Sequence, residues 1–146
     1  MNEYWDTSCV LKLYTAEQDS GRVLALMELS PKPILVSALV RAELVYAFLR
    51  KERVGQIRPG ASAPLLERLE MDEANGKFRF IALGREVLKR SEQVGRNCLR
   101  GGRSILLRTL DGLHIGTAIH CGCKTIVTTD ERMRAGAKKM GLKVLP

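Results

Sequence analysis

Nowhere in the chain does an apolar run approach the roughly 18 residues that a membrane-spanning helix needs, although 45% of its residues are hydrophobic. The opening Met1-Asn2-Glu3-Tyr4-Trp5 lacks both the basic flank and the long apolar stretch of a secretory signal. A soluble, cytoplasmic protein is expected. No linker, repeat or low-complexity tract interrupts the sequence, so residues 1–146 read as a single domain. A chain of this length buries about two-thirds of the surface its unfolded form exposes. Gly-x-Ser-x-Gly is missing, and Ser8 has no neighbouring His or acid in an activating order, which excludes the common serine nucleophile. No Gly-Lys-Ser/Thr follows Gly101-Gly102, which excludes a Walker phosphate cradle. His120-Cys121-Gly122-Cys123 lacks the second ligand pair of structural zinc modules. With Cys9 and Cys98, these cysteines read as small buried hydrophobes, not disulfide partners.

Acid is the scarcer charge: 16 Asp and Glu stand against 24 Lys and Arg, for a net charge of +8. Residues 77 to 108 hold nine bases (Lys77, Arg79, Arg85, Lys89, Arg90, Arg96, Arg100, Arg103, Arg108) and only Glu86 and Glu92 as acids. Such a run is either a solvated helix face or a phosphate-binding surface. Arginine outnumbers lysine 15 to 9 in the whole chain. That favours phosphate, whose oxygens the guanidinium fork meets in pairs.

The apolar pattern predicts five short strands separated by helices. Strands are expected at Glu3 to Trp5, Ile34 to Val36, Phe78 to Ile81, Thr125 to Val127 and Leu142 to Leu145. Thr7 or Ser8 is expected to cap a helix through about Thr15, and Asp19 to Leu29 has helical spacing as far as Pro31-Lys32-Pro33. Ser37 caps a helix from about Ala38 to Val54, and an acidic helix spans about Ala63 to Ala74. Basic and apolar helices follow at Arg85 to Leu99 and Thr109 to His120, and Asp130 opens a last one to Met140. Strands that are apolar throughout, alternating with helices, argue for a parallel sheet covered on both faces. Ligands of such sheets bind beyond the carboxyl ends of the strands, where strand order reverses.

Four acids stand out against this background: Asp6, Glu43, Asp111 and Asp130. Each Asp taken alone is an ordinary helix cap or first-turn acid. Glu43 is different, because Leu39, Val40, Tyr46 and Ala47 surround it at helical spacing. A carboxylate on an apolar face must find a partner, either an arginine such as Arg41 or Arg50 or a cation. Four carboxylates converging at one sheet edge would repel unless a cation bound them. Hard oxygen donors without a His or Cys set select Mg²⁺, or Mn²⁺ in its place. His114, one turn after Asp111, is open to either a structural or a catalytic reading, and His120 reads as structural. A phosphotransferase of the haloacid-dehalogenase type is excluded, since it needs an Asp where Ser8 stands.

These segments resemble the PIN-domain ribonucleases. Tyr4-Trp5-Asp6-Thr7-Ser8 is similar to the opening of that family, Ser37-Ala-Leu-Val-Arg-Ala-Glu43-Leu to its second motif, Leu110-Asp111-Gly-Leu-His to its third, and Ile126-Val-Thr-Thr-Asp130 to its fourth. Met133 departs from the bulky residue often found after the last acid. In size the chain is most similar to VapC-type toxins of toxin-antitoxin pairs. The resemblance implies a three-layer α/β/α sandwich on a short, mostly parallel five-stranded sheet. It implies RNA as substrate, Asp6, Glu43, Asp111 and Asp130 as catalytic ligands of Mg²⁺ or Mn²⁺, a homodimer and a cognate antitoxin. Ser8, Thr128 and Thr129 are candidates to orient a ligand or a phosphate oxygen, and Arg100 and Arg103 to hold RNA. The apolar residues of the first two helices (Val10, Leu11, Leu13, Tyr14, Val23, Leu24, Met27) read as core or as part of a dimer surface. Two further readings stay open: a non-catalytic RNA-binding module with a structural Mg²⁺ site, and a DNA-directed nuclease.

Overall fold

The computed structural model describes residues 1–100 and 105–146. In chain order its elements are β1 (Glu3–Trp5), α1 (Thr7–Tyr14), α2 (Ser20–Leu29), β2 (Ile34–Ser37), α3 (Leu39–Arg53), α4 (Ser62–Ala74), β3 (Phe78–Ile81), α5 (Arg85–Leu99), α6 (Thr109–His120), β4 (Thr125–Val127), α7 (Glu131–Lys139) and β5 (Lys143–Leu145). The strands form one sheet in the order β3-β2-β1-β4-β5, and every pairing is parallel. Tyr4 is the centre of the register, facing Leu35 on one side and Ile126 on the other.

Because strand side chains alternate between faces, adjacent apolar residues fill two different cores. Trp5, Ile34, Val36, Phe78 and Val127 point into the core formed with α1 to α4. Tyr4, Leu35 and Ile126 point the other way, into the core formed with α5, α6 and α7. This is the three-layer sandwich, and it explains why the strand segments lack a polar alternation. The apolar residues of the first two helices go mostly to the core: Val10, Tyr14, Val23 and Met27 are buried and Leu11 and Leu13 pack against them. Leu24 stays exposed.

Two features place the site. The chain builds outward from β1 to β2 and β3, then crosses the opposite face through α5 and α6 to set β4 on the other side of β1. The β1/β4 boundary is therefore the point where strand order reverses; Asp6 follows directly on β1, and Asp130 ends the short turn that leaves β4 through Thr128 and Thr129. The second feature is the close approach of α5 and α6, where a Cβ added to Gly116 would lie 2.3 Å from the Ser91 hydroxyl oxygen. The His120-Cys121-Gly122-Cys123 segment ends α6, with Gly122 at φ 70° and the Cys123 N–H bonded to the Ala118 carbonyl. Among the described residues no helix is long and apolar enough to cross a membrane.

Candidate acidic active-site cleft

Asp6 leaves β1 in an extended conformation and caps α1, a task for which Thr7 and Ser8 are also competent in sequence. Its Oδ1 accepts the Cys9 N–H at 3.2 Å and the Ser8 hydroxyl at 2.7 Å, and its Oδ2 accepts the Thr128 hydroxyl at 2.6 Å. Asp130 repeats the geometry after β4: its Oδ1 caps α7 through the Met133 N–H at 2.9 Å. Thr128 joins the two turns, donating to Asp6 while its oxygen accepts the Asp130 N–H at 3.1 Å. Ser8 is the second stitch, accepting the Thr129 N–H at 3.1 Å. Ser8, Thr128 and Thr129 thus hold the Asp6 and Asp130 turns in register.

Glu43 comes from α3, and its position differs from the sequence expectation. Val40, Leu44 and Ala47 are buried but Tyr46 is 67% exposed, so Glu43 sits at the seam of the helix and is itself half-buried. Its partner is His114, not Arg41 or Arg50; Arg41 pairs with Glu70. Glu43 Oε1 receives the Thr7 hydroxyl at 3.0 Å and His114 Nε2 at 2.6 Å. His114 Nδ1 lies 2.6 Å from the Tyr4 hydroxyl, which accepts the Ser37 N–H at 3.2 Å. One arrangement satisfies every group in this chain of bonds: Tyr4 donates to Nδ1, and Nε2–H donates to Glu43. His114 is thus a buried support for Glu43 that also lines the cleft.

Burial sets the electrostatics. It pushes the Asp6 carboxyl above its ordinary value, against the lowering effects of the Thr128 bond and the other donors. Burial acts upward on Glu43 too, but there the bonds from His114 and Thr7 and the charge of Arg108 prevail, and the net shift is downward. Asp111, in the first turn of α6, accepts the Arg108 N–H at 3.0 Å and stands 3.4 Å from Arg108 Nε, both on Oδ2.

All four acids line one cleft of about 400 Å³, together with Thr7, Ser8, Arg50, Arg108, Leu110, His114 and Met133. Met133 also packs into the core on the α5–α7 side. A larger cavity of about 780 Å³ lies at Tyr14, Glu17, Lys51 and Ile57, away from the acids. Its carboxylate is already paired, Glu17 with Lys12 and Lys51. Among the described residues no three His, Cys, Asp or Glu side chains stand close enough together to ligate one ion as placed. The donor chemistry nonetheless fits a hard cation: Glu43, Asp111 and Asp130 all line the cleft, and each bonds the protein through only one of its two carboxylate oxygens. Arg100 is the exposed cap residue after α5 and does not line the cleft; Arg103 and the Gly101-Gly102 loop lie outside the described residues. Sequence reading counted Arg108 only as one base of a run. The signal available was its position, three residues before an Asp at a helix start.

An all-parallel sandwich with acids gathered where its strand order reverses defines a class of α/β proteins with an anionic cleft at the sheet edge. The sequence model of the PIN domain matches residues 4–139, and the chain belongs to that family. No curated protein matches. Among solved structures the chain is similar to FitAcB from Neisseria gonorrhoeae, at 21% identity and a TM-score of 0.71, covering 99% of this chain and 96% of that one. It is similar to VapC20 of Mycobacterium tuberculosis, described as a sarcin-ricin loop cleaving toxin, at 16% identity and a TM-score of 0.67, covering 91% and 93%. VapBC2 from Rickettsia felis, bound to a DNA fragment from its promoter, is similar at 16% identity and a TM-score of 0.67, covering 99% and 97%.

Proposed function

We propose that this protein is a Mg²⁺- or Mn²⁺-dependent endoribonuclease acting as the toxin of a toxin-antitoxin pair in the cytoplasm. The observation that carries the reading is the convergence of Asp6, Glu43, Asp111 and Asp130 on a single cleft at the β1/β4 reversal. Those four side chains would hold the ion, Asp6 and Asp111 as primary ligands, with Glu43 and Asp130 completing the pocket directly or through water. A bound divalent ion supplies a hydroxide at neutral pH and offsets charge on the phosphate under in-line attack. The chain's own residues do the rest. Thr128 and Ser8 fix the Asp6 oxygens, and His114 and Thr7 hold Glu43 Oε1 so that Oε2 stays available. The exposed bases of α5 would draw in the RNA backbone.

The toxin reading is supported by the fold shared with FitAcB, VapC20 and VapBC2, and the RNA substrate by the cleavage that VapC20 is described as performing. An antitoxin that covers the cleft and a homodimer belong to the same proposal. Large apolar side chains left exposed, Leu29 at 84%, Tyr46 at 67% and Leu49 at 52%, support partner surfaces of that kind.

The test offers single-stranded RNA and DNA of one sequence to the purified protein, with Mn²⁺ and then with chelator. Expected are cleavage of RNA only with metal, and its loss in Asp6→Asn and Asp111→Asn while RNA binding persists. Cleavage of DNA alone would make the protein a DNA-directed nuclease. Binding without cleavage in any metal would leave a non-catalytic RNA-binding module.

A further inference from the structure

Arg108 occupies an unusual place: it borders two cavities at once. One is the acid cleft, and the other is an apolar groove of about 400 Å³ between α5 and α6, lined by Leu88, Leu99, Leu107 and Leu113 among others. Its side chain is 63% exposed, while that of its partner Asp111 is 4% exposed. The Nε to Oδ2 distance of 3.4 Å is long for a charge-assisted bond, which ordinarily measures about 2.7–2.9 Å. The guanidinium is therefore loosely held, on a long solvated stem, with room on either side. The charges of Asp130 and Glu43 reach it as well as that of Asp111. Arg50 also lines the cleft, but among the described residues no hydrogen bond or ion pair joins it to the four acids.

We propose that Arg108 is a two-position residue: the counter-ion of the acid cluster while no divalent cation is bound, and a ligand of the substrate phosphate once one is. This inference rests on the metal-dependent nuclease reading. Two cations that draw on the same carboxylates compete, and a divalent ion brings twice the charge to the same oxygens. With the acids neutralised, Arg108 loses its attraction and is repelled by the ion. The nearest anion left for its fork is then the phosphodiester, which it meets with two parallel N–H···O bonds. Removing the guanidinium must therefore change metal binding and cleavage in opposite directions. A residue that merely supported the fold would weaken both.

The experiment titrates Mn²⁺ into wild type, Arg108→Gln, Arg108→Lys and Arg53→Gln, reading free Mn²⁺ by electron paramagnetic resonance, and then measures RNA cleavage at saturating Mn²⁺. Arg108→Gln is expected to bind Mn²⁺ about 3- to 10-fold more tightly and to cleave on the order of 10- to 100-fold more slowly. Arg108→Lys should keep the wild-type Mn²⁺ affinity but recover only part of the rate, because an ammonium is a point charge without the fork. Arg53→Gln removes the same unit charge from the exposed end of α3 and should leave both quantities near wild type. Unchanged or weaker Mn²⁺ binding in Arg108→Gln, tightening no larger than in Arg53→Gln, or an undiminished rate each overturns the proposal. Wild type that neither binds Mn²⁺ nor cleaves RNA overturns the nuclease reading and this inference together. The two failures are thus distinct, the second being visible in wild type alone.

Discussion

At the scale of single residues, the four acids are not equivalent, although the sequence presents them as one repelling cluster. Asp6 is buried, and its folded-state carboxyl titrates above the ordinary value of 3.8 because desolvation outweighs its donors. A group shifted upward contributes stability below its unfolded value and loses it as pH rises through the folded one. In metal-free protein at pH 7, Asp6→Asn should therefore raise Tm by a few degrees, about 2–4 °C for a chain of this size. The gain should close as pH falls toward 4. Glu43 has the opposite sign: its carboxyl is held below the ordinary 4.5, chiefly by His114 and Thr7 working against burial. Its contribution is present above the unfolded value and lost as pH falls through the folded one. Glu43→Gln should lower Tm at pH 7 and make little difference in acid. Thermal melts with chelator from pH 3.5 to 8 decide the matter, and two curves of the same sign would refute it. Part of this was legible in sequence, since three acids at element ends, Asp6, Asp111 and Asp130, and one within an apolar helix, Glu43, mark the cleft. The identity of Glu43's partner was not, because His114 lies 71 residues away and only the packed sheet brings them together.

At the scale of elements, the α5–α6 contact carries the site, because α6 supplies both Asp111 and His114. A methyl at Gly116 would meet Ser91 at 2.3 Å from Oγ, 2.8 Å from N and 3.0 Å from Cα. Two of those atoms are backbone, so α5 itself must move. Gly116→Ala is expected to cost about 1–3 kcal/mol of stability, as overpacking does. Gly95→Ala, also within α5, meets nothing within 4 Å and should stabilise by about 0.5–1 kcal/mol through helix propensity. Urea unfolding of both variants is the check; equal effects would mean that the close approach is not limiting. Both helices were legible at their full lengths, Arg85 to Leu99 and Thr109 to His120, because their apolar periods run between clear stops. Capping was harder to read. Asp6, Thr7 and Ser8 are all competent caps, and the structure gives the cap to Asp6 while Thr7 serves Glu43 and Ser8 serves Asp6. The carboxylate accepts the helix N–H most readily, and the two hydroxyls can donate, which a carboxylate cannot.

At the scale of the whole molecule, charge is divided: the acids face inward at the sheet edge while the bases of α5 face solvent. Val87, Val94 and Cys98 bury one side of α5, and Arg85, Lys89, Arg90 and Arg96 are exposed on the rest, with Arg100 exposed just after it. Lys89 pairs with Glu86 and Arg96 with Glu92, in exposed contacts of the kind that contribute little and yield to a phosphate. Engagement of about three to five phosphates by this face predicts that log affinity for single-stranded RNA falls against log salt with a slope of about −2 to −3.5. Between about 50 and 200 mM salt that is a loss of roughly 20- to 100-fold. Reversing two of the bases, Arg85→Glu with Arg90→Glu, should flatten the slope by about 1 to 2 and raise KM. It should leave kcat at saturating RNA nearly unchanged, because neither side chain lines the acid cleft. Filter binding across a salt series and a kinetic comparison at two salt concentrations measure these quantities. A slope that the double variant does not alter would mean that RNA approaches the acids over some other face, and that the basic run is only a solvated helix surface.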